Sequence, residues 1–217
     1  MRDEREATRL VAVLEPGEGA RERLMAAAQA APIACVMLKI GSAGSDRVGE
    51  ASQLLRMARE AGAICLIADD AELARTLSAD GVHLSAHGDA EERYAFARAA
   101  LSARGAVGVD AGGSRHRAMT VGEMGADYIA FGCAVHSGDA HDGVQARLDL
   151  IAWWAEVFEL PCVAMDVVSA NDARDLALAG ADFVAMTLSA GQSPAWAADT
   201  ARAFAAALGE AARTRPE

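Results

Sequence analysis

The sequence predicts a single α/β domain built as a closed (β/α)8 barrel, and three observations carry that expectation. Eight short apolar runs alternate with longer, alanine-rich segments of helical composition. Several runs are apolar at successive residues, as in Tyr128-Ile129-Ala130-Phe131, which suits strands of a parallel sheet covered on both faces. Eight strand and helix pairs in 217 residues are more than a doubly wound open sheet usually holds, so the TIM barrel comes first and the open sheet second.

The elements follow in order. Leu-Val-Ala-Val-Leu gives a first strand at 10–14, and the run from Ile33 to Leu38 a second at 33–38. Ile-Cys-Leu-Ile sets a third at 64–67, Gly-Val-His-Leu a fourth at 81–84, and Ala-Val-Gly-Val a fifth at 106–109. The remaining three fall at 128–131, 162–165 and 183–187. Helices fill the intervals, and an alanine-rich covering helix is expected over 195–208. Trp153-Trp154, in the helical stretch ahead of the seventh strand, is expected to pack on the outside of the barrel rather than on a ligand. A weak repeat marks the junctions: Ala61-Gly62-Ala63, Ser78-Ala79-Asp80-Gly81, Met124-Gly125-Ala126-Asp127 and Ala179-Gly180-Ala181-Asp182 each close a helix and lead into a strand. These are tight connections at the bottom of the barrel, so chemistry belongs at the opposite rim, just after each strand.

Composition narrows the function. The net charge of −11, from 20 basic and 31 acidic residues, argues against contact with nucleic acid phosphates or an anionic bilayer. No long apolar stretch follows the charged start, so neither a signal peptide nor a membrane span is expected. Cys35, Cys65, Cys133 and Cys162 form no CxxC pair, as expected of buried thiols in a reduced, cytoplasmic protein. The expected organisation is one domain over 1–217, with a charged tail at 1–8 and a barrel core at about 9–205; a homo-oligomer is compatible with it.

Polar residues gather where the strands end. Glu15 follows the first, Lys39 the second, Asp69 and Asp70 the third, and Ser85, His87 and Asp89 the fourth. Asp110 follows the fifth; Cys133, His136, Asp139 and His141 the sixth; Asp166 the seventh; Thr187, Ser189 and Gly191 the eighth. Lys39 is the only lysine, against nineteen arginines expected on the surface, so a lone ammonium stands where it could hold an anionic group or act as a nucleophile. Asp69 and Asp89 could converge on magnesium, with one of Asp69 and Asp70 capping the next helix instead. His83, inside the fourth strand, is expected to be a satisfied core histidine. His136 and His141 with Asp139 are a weaker, transition-metal alternative. The loop from Ser189 to Ser193 could cradle a phosphate, while Ser193-Pro194 reads as an N-cap followed by a first-turn proline.

Three phrases, Ala79-Asp80-Gly81-Val82-His83-Leu84, Gly125-Ala126-Asp127-Tyr128-Ile129-Ala130-Phe131-Gly132 and Leu160-Pro161-Cys162-Val163-Ala164-Met165, in that order and spacing, resemble the thiamine-phosphate synthases and their sister thiazole tautomerases. The resemblance covers roughly 9–205. It implies a barrel in which a magnesium-bound pyrimidine diphosphate loses pyrophosphate and is captured by the nitrogen of a thiazole phosphate, so the partners it implies are small phosphorylated heterocycles. Carried across, Asp69 and, with a one-residue shift, Asp89 match the metal carboxylates, Ala68 replacing the family's asparagine. Met37 and Lys39 fall on the Gln-x-Arg-x-Lys phrase, with one cation left of two. Asp110 replaces a serine or threonine, Asp166-Val167 replaces a Gly-Gly pair, and the Thr-x-Thr-Lys loop is not recognisable after Gly132. Cys133 occupies the place of the tautomerase histidine, with His136 three residues on. Thr187, Ser189 and Gly191 would bind the second phosphate. A carboxylate about 4 Å from a phosphate costs on the order of 4 kcal/mol at an effective dielectric near 20, so the two added aspartates oppose the inherited ligand. The resemblance therefore implies a synthase-like transferase, with a catalytically degenerate ligand-binding barrel or a tautomerase using His136 as alternatives.

Overall fold

The computed structural model describes residues 7–41, 47–101, 105–132 and 140–214. Its strands are β1 (Arg9–Leu14), β2 (Cys35–Leu38), β3 (Ile64–Ala68), β4 (Gly81–Leu84), β5 (Ala106–Asp110), β6 (Tyr128–Phe131), β7 (Cys162–Ala164) and β8 (Phe183–Leu188). Each pairs in parallel with the next, and β8 returns to β1 through the register Leu10↔Val184 to Leu14↔Leu188. The closed barrel is the expected fold. The helices are α1 (Ala20–Ala30), α2 (Arg47–Glu60), α3 (Ala71–Thr76), α4 (Ala90–Leu101), α5 (Arg115–Glu123), α6 (Ala140–Val157), α7 (Ala170–Ala179) and α8 (Pro194–Thr214).

Alternation along each strand sorts the core into two shells. Val11, Val13, Cys35, Met37, Leu66, Ala130, Val163, Met165 and Ala185 fill the barrel interior. Their neighbours, such as Ala12, Val36, Ile67, Ile129 and Val184, face the helices. Trp154 is buried in that outer shell, edge-on to Phe131 and donating its indole N–H to the Leu160 carbonyl at 2.8 Å. Cys35, Cys65 and Cys162 are buried and free, and burial pushes the Cys65 thiol up to about 12, too high for a nucleophile at neutral pH.

The junction repeat has a structural cause. Asp80, Asp127 and Asp182, each one residue before an even-numbered strand, give their backbone N–H to the carbonyls of Cys65, Val107 and Cys162 at 2.9, 3.0 and 3.1 Å. Their carboxylates accept the N–H of those same residues at 2.8, 2.7 and 2.8 Å. A reciprocal pair of bonds thus ties the bottom of β4 to β3, β6 to β5 and β8 to β7. The connections are structural, and the opposite rim is left for chemistry.

Inside the barrel His83 and Tyr128 make a polar contact. The rings stack with 6.0 Å between centroids, and His83 Nδ1 lies 2.9 Å from the Tyr128 hydroxyl. Gly108 on β5 makes the space, since a Cβ there would stand 1.8 Å from Tyr128 Cζ. His83 is therefore the satisfied core residue expected, and its burial lowers its pKa to about 4.

Candidate active site

The strand ends bring most of the expected residues to one rim. Pairing of β1 with β2 sets Lys39 beside Glu15: the Lys39 N–H donates to the Leu14 carbonyl, and its Nζ lies 3.7 Å from Glu15 Oε1, with both side chains part-exposed. A pair this open is worth at most about 1 kcal/mol, so an anion can take the ammonium from Glu15. Met37, one layer below Lys39, is buried and forms part of the apolar floor.

On the far side, Asp110 ends β5 and Asp166 follows β7, with Gly132, the residue after β6, between them. A Cβ on Gly132 would stand 2.7 Å from Asp166 Oδ2 and 3.4 Å from Asp110 Oδ2, so only glycine lets the two carboxylates face one another here. Burial, with repulsion from Asp166, pushes Asp110 up to about 6 against hydrogen bonds from the N–H groups of Gly112 and Gly132. Asp166 takes a left-handed backbone conformation, φ 55°. Its carbonyl and that of Met165 accept from Arg147 Nη1 at 2.9 and 2.5 Å, while Arg147 Nη2 grips both oxygens of Asp172 at 2.8 and 2.7 Å.

The two titrating groups give opposite stability trends. The unfolded chain loses the Asp110 proton near pH 4 and the native chain near 6, so Asp110 costs the native state progressively as pH rises through that window. His83 takes a proton in the unfolded chain near pH 6.5 but not in the native chain until about 4, so its contribution is lost as pH falls. We predict that Asp110→Asn raises the melting temperature at pH 7 and makes its fall between pH 6.5 and 4 steeper than in the parent. Equal slopes for variant and parent would refute the Asp110 assignment.

The loop after β8 is partly self-satisfied. The Ser189 N–H donates to Gln192 Oε1 at 2.7 Å, and Gln192 N–H returns to the Ser189 carbonyl at 3.1 Å. Gly191 faces open space, and Ser193 caps α8 by accepting the Trp196 N–H, as its sequence predicts. Thr187 sits half-buried on β8, opposite Val13 and two residues on from the inward-facing Ala185. Gln192 thus holds one N–H that a phosphate would use.

Asp69 and Asp89 are engaged with other partners. Asp69 Oδ1 accepts the Ser85 N–H at 2.8 Å and Arg93 Nη2 at 2.5 Å, and Oδ2 accepts the Ser85 hydroxyl at 2.6 Å. Burial alone would raise the Asp69 pKa, but the Ser85 and Arg93 contacts outweigh it and hold the carboxylate below its ordinary value. Asp89 is exposed, and its Oδ1 accepts the N–H groups of Glu91 and Glu92, both at 3.0 Å, at the start of α4. Asp70 caps α3 through the Leu73 N–H and pairs with Arg47 at 2.5 Å. A magnesium ion fits poorly here. A dication about 4 Å from a guanidinium is opposed by about 8 kcal/mol at an effective dielectric near 20. Among the described residues no group of three His, Cys, Asp or Glu side chains is placed to hold a metal. Cys133, His136 and Asp139 lie outside the described residues, as does the side chain of His141.

What the sequence reading missed is the arginines. Arg23 and Arg147 are each 1% exposed, in contrast to the surface role expected of them. Arg23 donates to the carbonyls of Glu15 and Glu18, Arg93 to those of Ser85 and His87, and Arg147 to those of Met165 and Asp166. Each rises from a helix to fix the loop that carries a rim residue.

Comparison with known proteins agrees with this architecture. A model of the thiamine monophosphate synthase family matches residues 10–190. The chain belongs to this family. The thiamine-phosphate synthase of Rhodospirillum centenum is 37% identical over 164 residues, 75% of this chain and 78% of that one. That of Hyphomonas neptunium is 44% identical over 131 residues, and the chain spans 58% of its length. Among solved structures, thiamine phosphate pyrophosphorylase from Pyrococcus furiosus superposes with a TM-score of 0.74 at 20% identity, covering 94% of this chain and 96% of the other. A 3-hexulose-6-phosphate synthase follows with a TM-score of 0.64 at 18% identity over 92% and 99%, a likeness of fold alone. Among the described residues no helix of this thiamine monophosphate synthase family member is long and apolar enough to cross a membrane.

Proposed function

We propose that this barrel is a cytoplasmic thiamine-phosphate synthase-like transferase that joins a hydroxymethylpyrimidine diphosphate to a thiazole phosphate and releases pyrophosphate. The observation that carries the reading is the family match across 10–190, over a rim whose one lysine is at a strand end and only loosely paired. In the reaction the bond from the pyrimidine methylene carbon to the diphosphate oxygen breaks, and its electron pair leaves with pyrophosphate. The thiazole nitrogen then gives its lone pair to that carbon. Lys39 leaves Glu15 and neutralises the departing diphosphate. Met37 and its neighbours form the apolar floor for the heterocycle, and the loop from Ser189 to Gly191, with Thr187 below it, takes the thiazole phosphate once Gln192 releases the Ser189 amide. The family resemblance implies magnesium, but Asp69 and Asp89, as they stand, are committed to Arg93, Ser85 and the first amides of α4 and do not fit it.

Lys39→Ala is expected to slow pyrophosphate release from the two substrates by about 100-fold, the scale of losing one charge-stabilising donor. Release by the parent no faster than by the variant would sink the reading. The acidic pair at Asp110 and Asp166 favours a second one, a barrel that binds a ligand without turnover; calorimetric binding of a non-phosphorylated heterocycle in preference to thiamine phosphate would select it.

A further inference from the structure

We propose that Arg93 supplies the fixed positive charge at the β3 and β4 edge of the rim, so that Asp69 is its counter-ion and a ligand phosphate meets a guanidinium there rather than a divalent cation. The inference rests on the reading of this rim as a phosphate-binding mouth. Both oxygens of Asp69 are engaged, one of them by Arg93 at 2.5 Å and by the Ser85 N–H, the other by the Ser85 hydroxyl. The second carboxylate expected at a metal, Asp89, holds the first N–H groups of α4 and is exposed. Arg93 is locked in place by the carbonyls of Ser85 and His87, at 2.6 and 2.7 Å from Nη1. A guanidinium carries five N–H donors, and these three contacts use three of them. Its side chain is 22% exposed, so the group is held rigidly without being sealed off. A pre-positioned guanidinium is suited to phosphate oxygens, which it can meet with two parallel N–H groups.

Two measurements test this without turnover. Manganese(II) binding is followed by the electron paramagnetic resonance signal of the free ion in the parent, Asp69→Asn, Arg93→Met and the double variant. The parent is expected to show no manganese site that Asp69→Asn removes, whereas Arg93→Met gains at least about tenfold in affinity and the double variant loses that gain. A manganese site in the parent that Asp69→Asn abolishes, or an Arg93→Met variant that binds no better than the parent, overturns the proposal. Inorganic pyrophosphate binding is then measured by calorimetry in EDTA. The parent should bind, Arg93→Met should bind at least about tenfold more weakly, and Arg93→Lys should stay within about threefold of the parent. Binding that needs added divalent cation and ignores position 93 overturns it. Thermal unfolding of each variant establishes that the loop from Ser85 to Asp89 still folds, with Arg93→Lys as the conservative control. Failure of pyrophosphate release in the Lys39 comparison would remove the synthase reading and leave these results standing.

Discussion

Arg147→Met should cost about 3–5 kcal/mol of stability, the range for removing one partner of a buried ion pair. The guanidinium is wholly buried, its Asp172 partner is 8% exposed, and two main-chain carbonyls accept from the same Nη1. Methionine fills much of the volume but leaves a nearly buried carboxylate with only the long Val168 N–H contact at 3.3 Å, and takes the guanidinium donor from two carbonyls. Adding Asp172→Asn removes the stranded charge, so the double variant should be more stable than Arg147→Met alone. Arg147→Lys keeps the charge but not the two-pronged fork, and should fall between parent and Arg147→Met. Urea midpoints for the four proteins decide the matter: a loss below about 1 kcal/mol for Arg147→Met would show the clamp to be dispensable. Binding should suffer as well, because Arg147 holds the carbonyl of Asp166, whose left-handed backbone sets one wall of the mouth.

Gly108→Ala should destabilise the barrel by about 3 kcal/mol, near the top of the usual range for overpacking. The added methyl would fall 1.8 Å from Tyr128 Cζ, inside the ring's own volume, and the ring cannot retreat because His83 stacks against it. Moving Tyr128 also endangers its hydrogen bond with His83, whose loss strands a buried imidazole and a part-buried hydroxyl. Tyr128→Val frees the space, so Gly108→Ala should be nearly harmless in that background. A double-mutant cycle that returned additive losses would contradict this account.

The barrel was readable from the sequence because its strands are short, apolar and evenly separated, and nothing in the composition competed with that pattern. The rim was readable as a set of positions, since whatever follows a barrel strand must reach the same end. Side-chain commitments were not. Asp69 and Asp89 have the chemistry of metal ligands, and only the placement of Arg93 and the α4 amides shows both engaged elsewhere. That Asp110 and Asp166 meet over Gly132 follows from register, which strand composition does not encode.

The arginines did leave a signal. Arg23 lies with Ala20, Leu24 and Ala27 on the buried stripe of α1. Arg93 sits among Ala90, Tyr94 and Ala97 of α4, and Arg147 precedes Leu150, Ile151 and Trp154 at offsets of three, four and seven. A charged residue at the spacing of an apolar face can lay its stem along the core instead of joining the solvated face. The long stems of Arg23, Arg93 and Arg147 reach past the core to the loops above, whereas Arg59, four residues from Leu55 on α2, stays exposed, so periodicity marks the candidates and packing decides among them.

The carboxylate ties at Asp80, Asp127 and Asp182 recur at every second strand, so the unit that repeats is a quarter of the barrel, two strands with their two helices. Three quarters each carry an internal lock, whereas the pair β1 and β2 has Ala34 at the equivalent place. Cutting or recombining the chain at 61–63 or at 158–161 would leave every lock whole, which makes those crossings natural seams for shuffling this scaffold against its relatives.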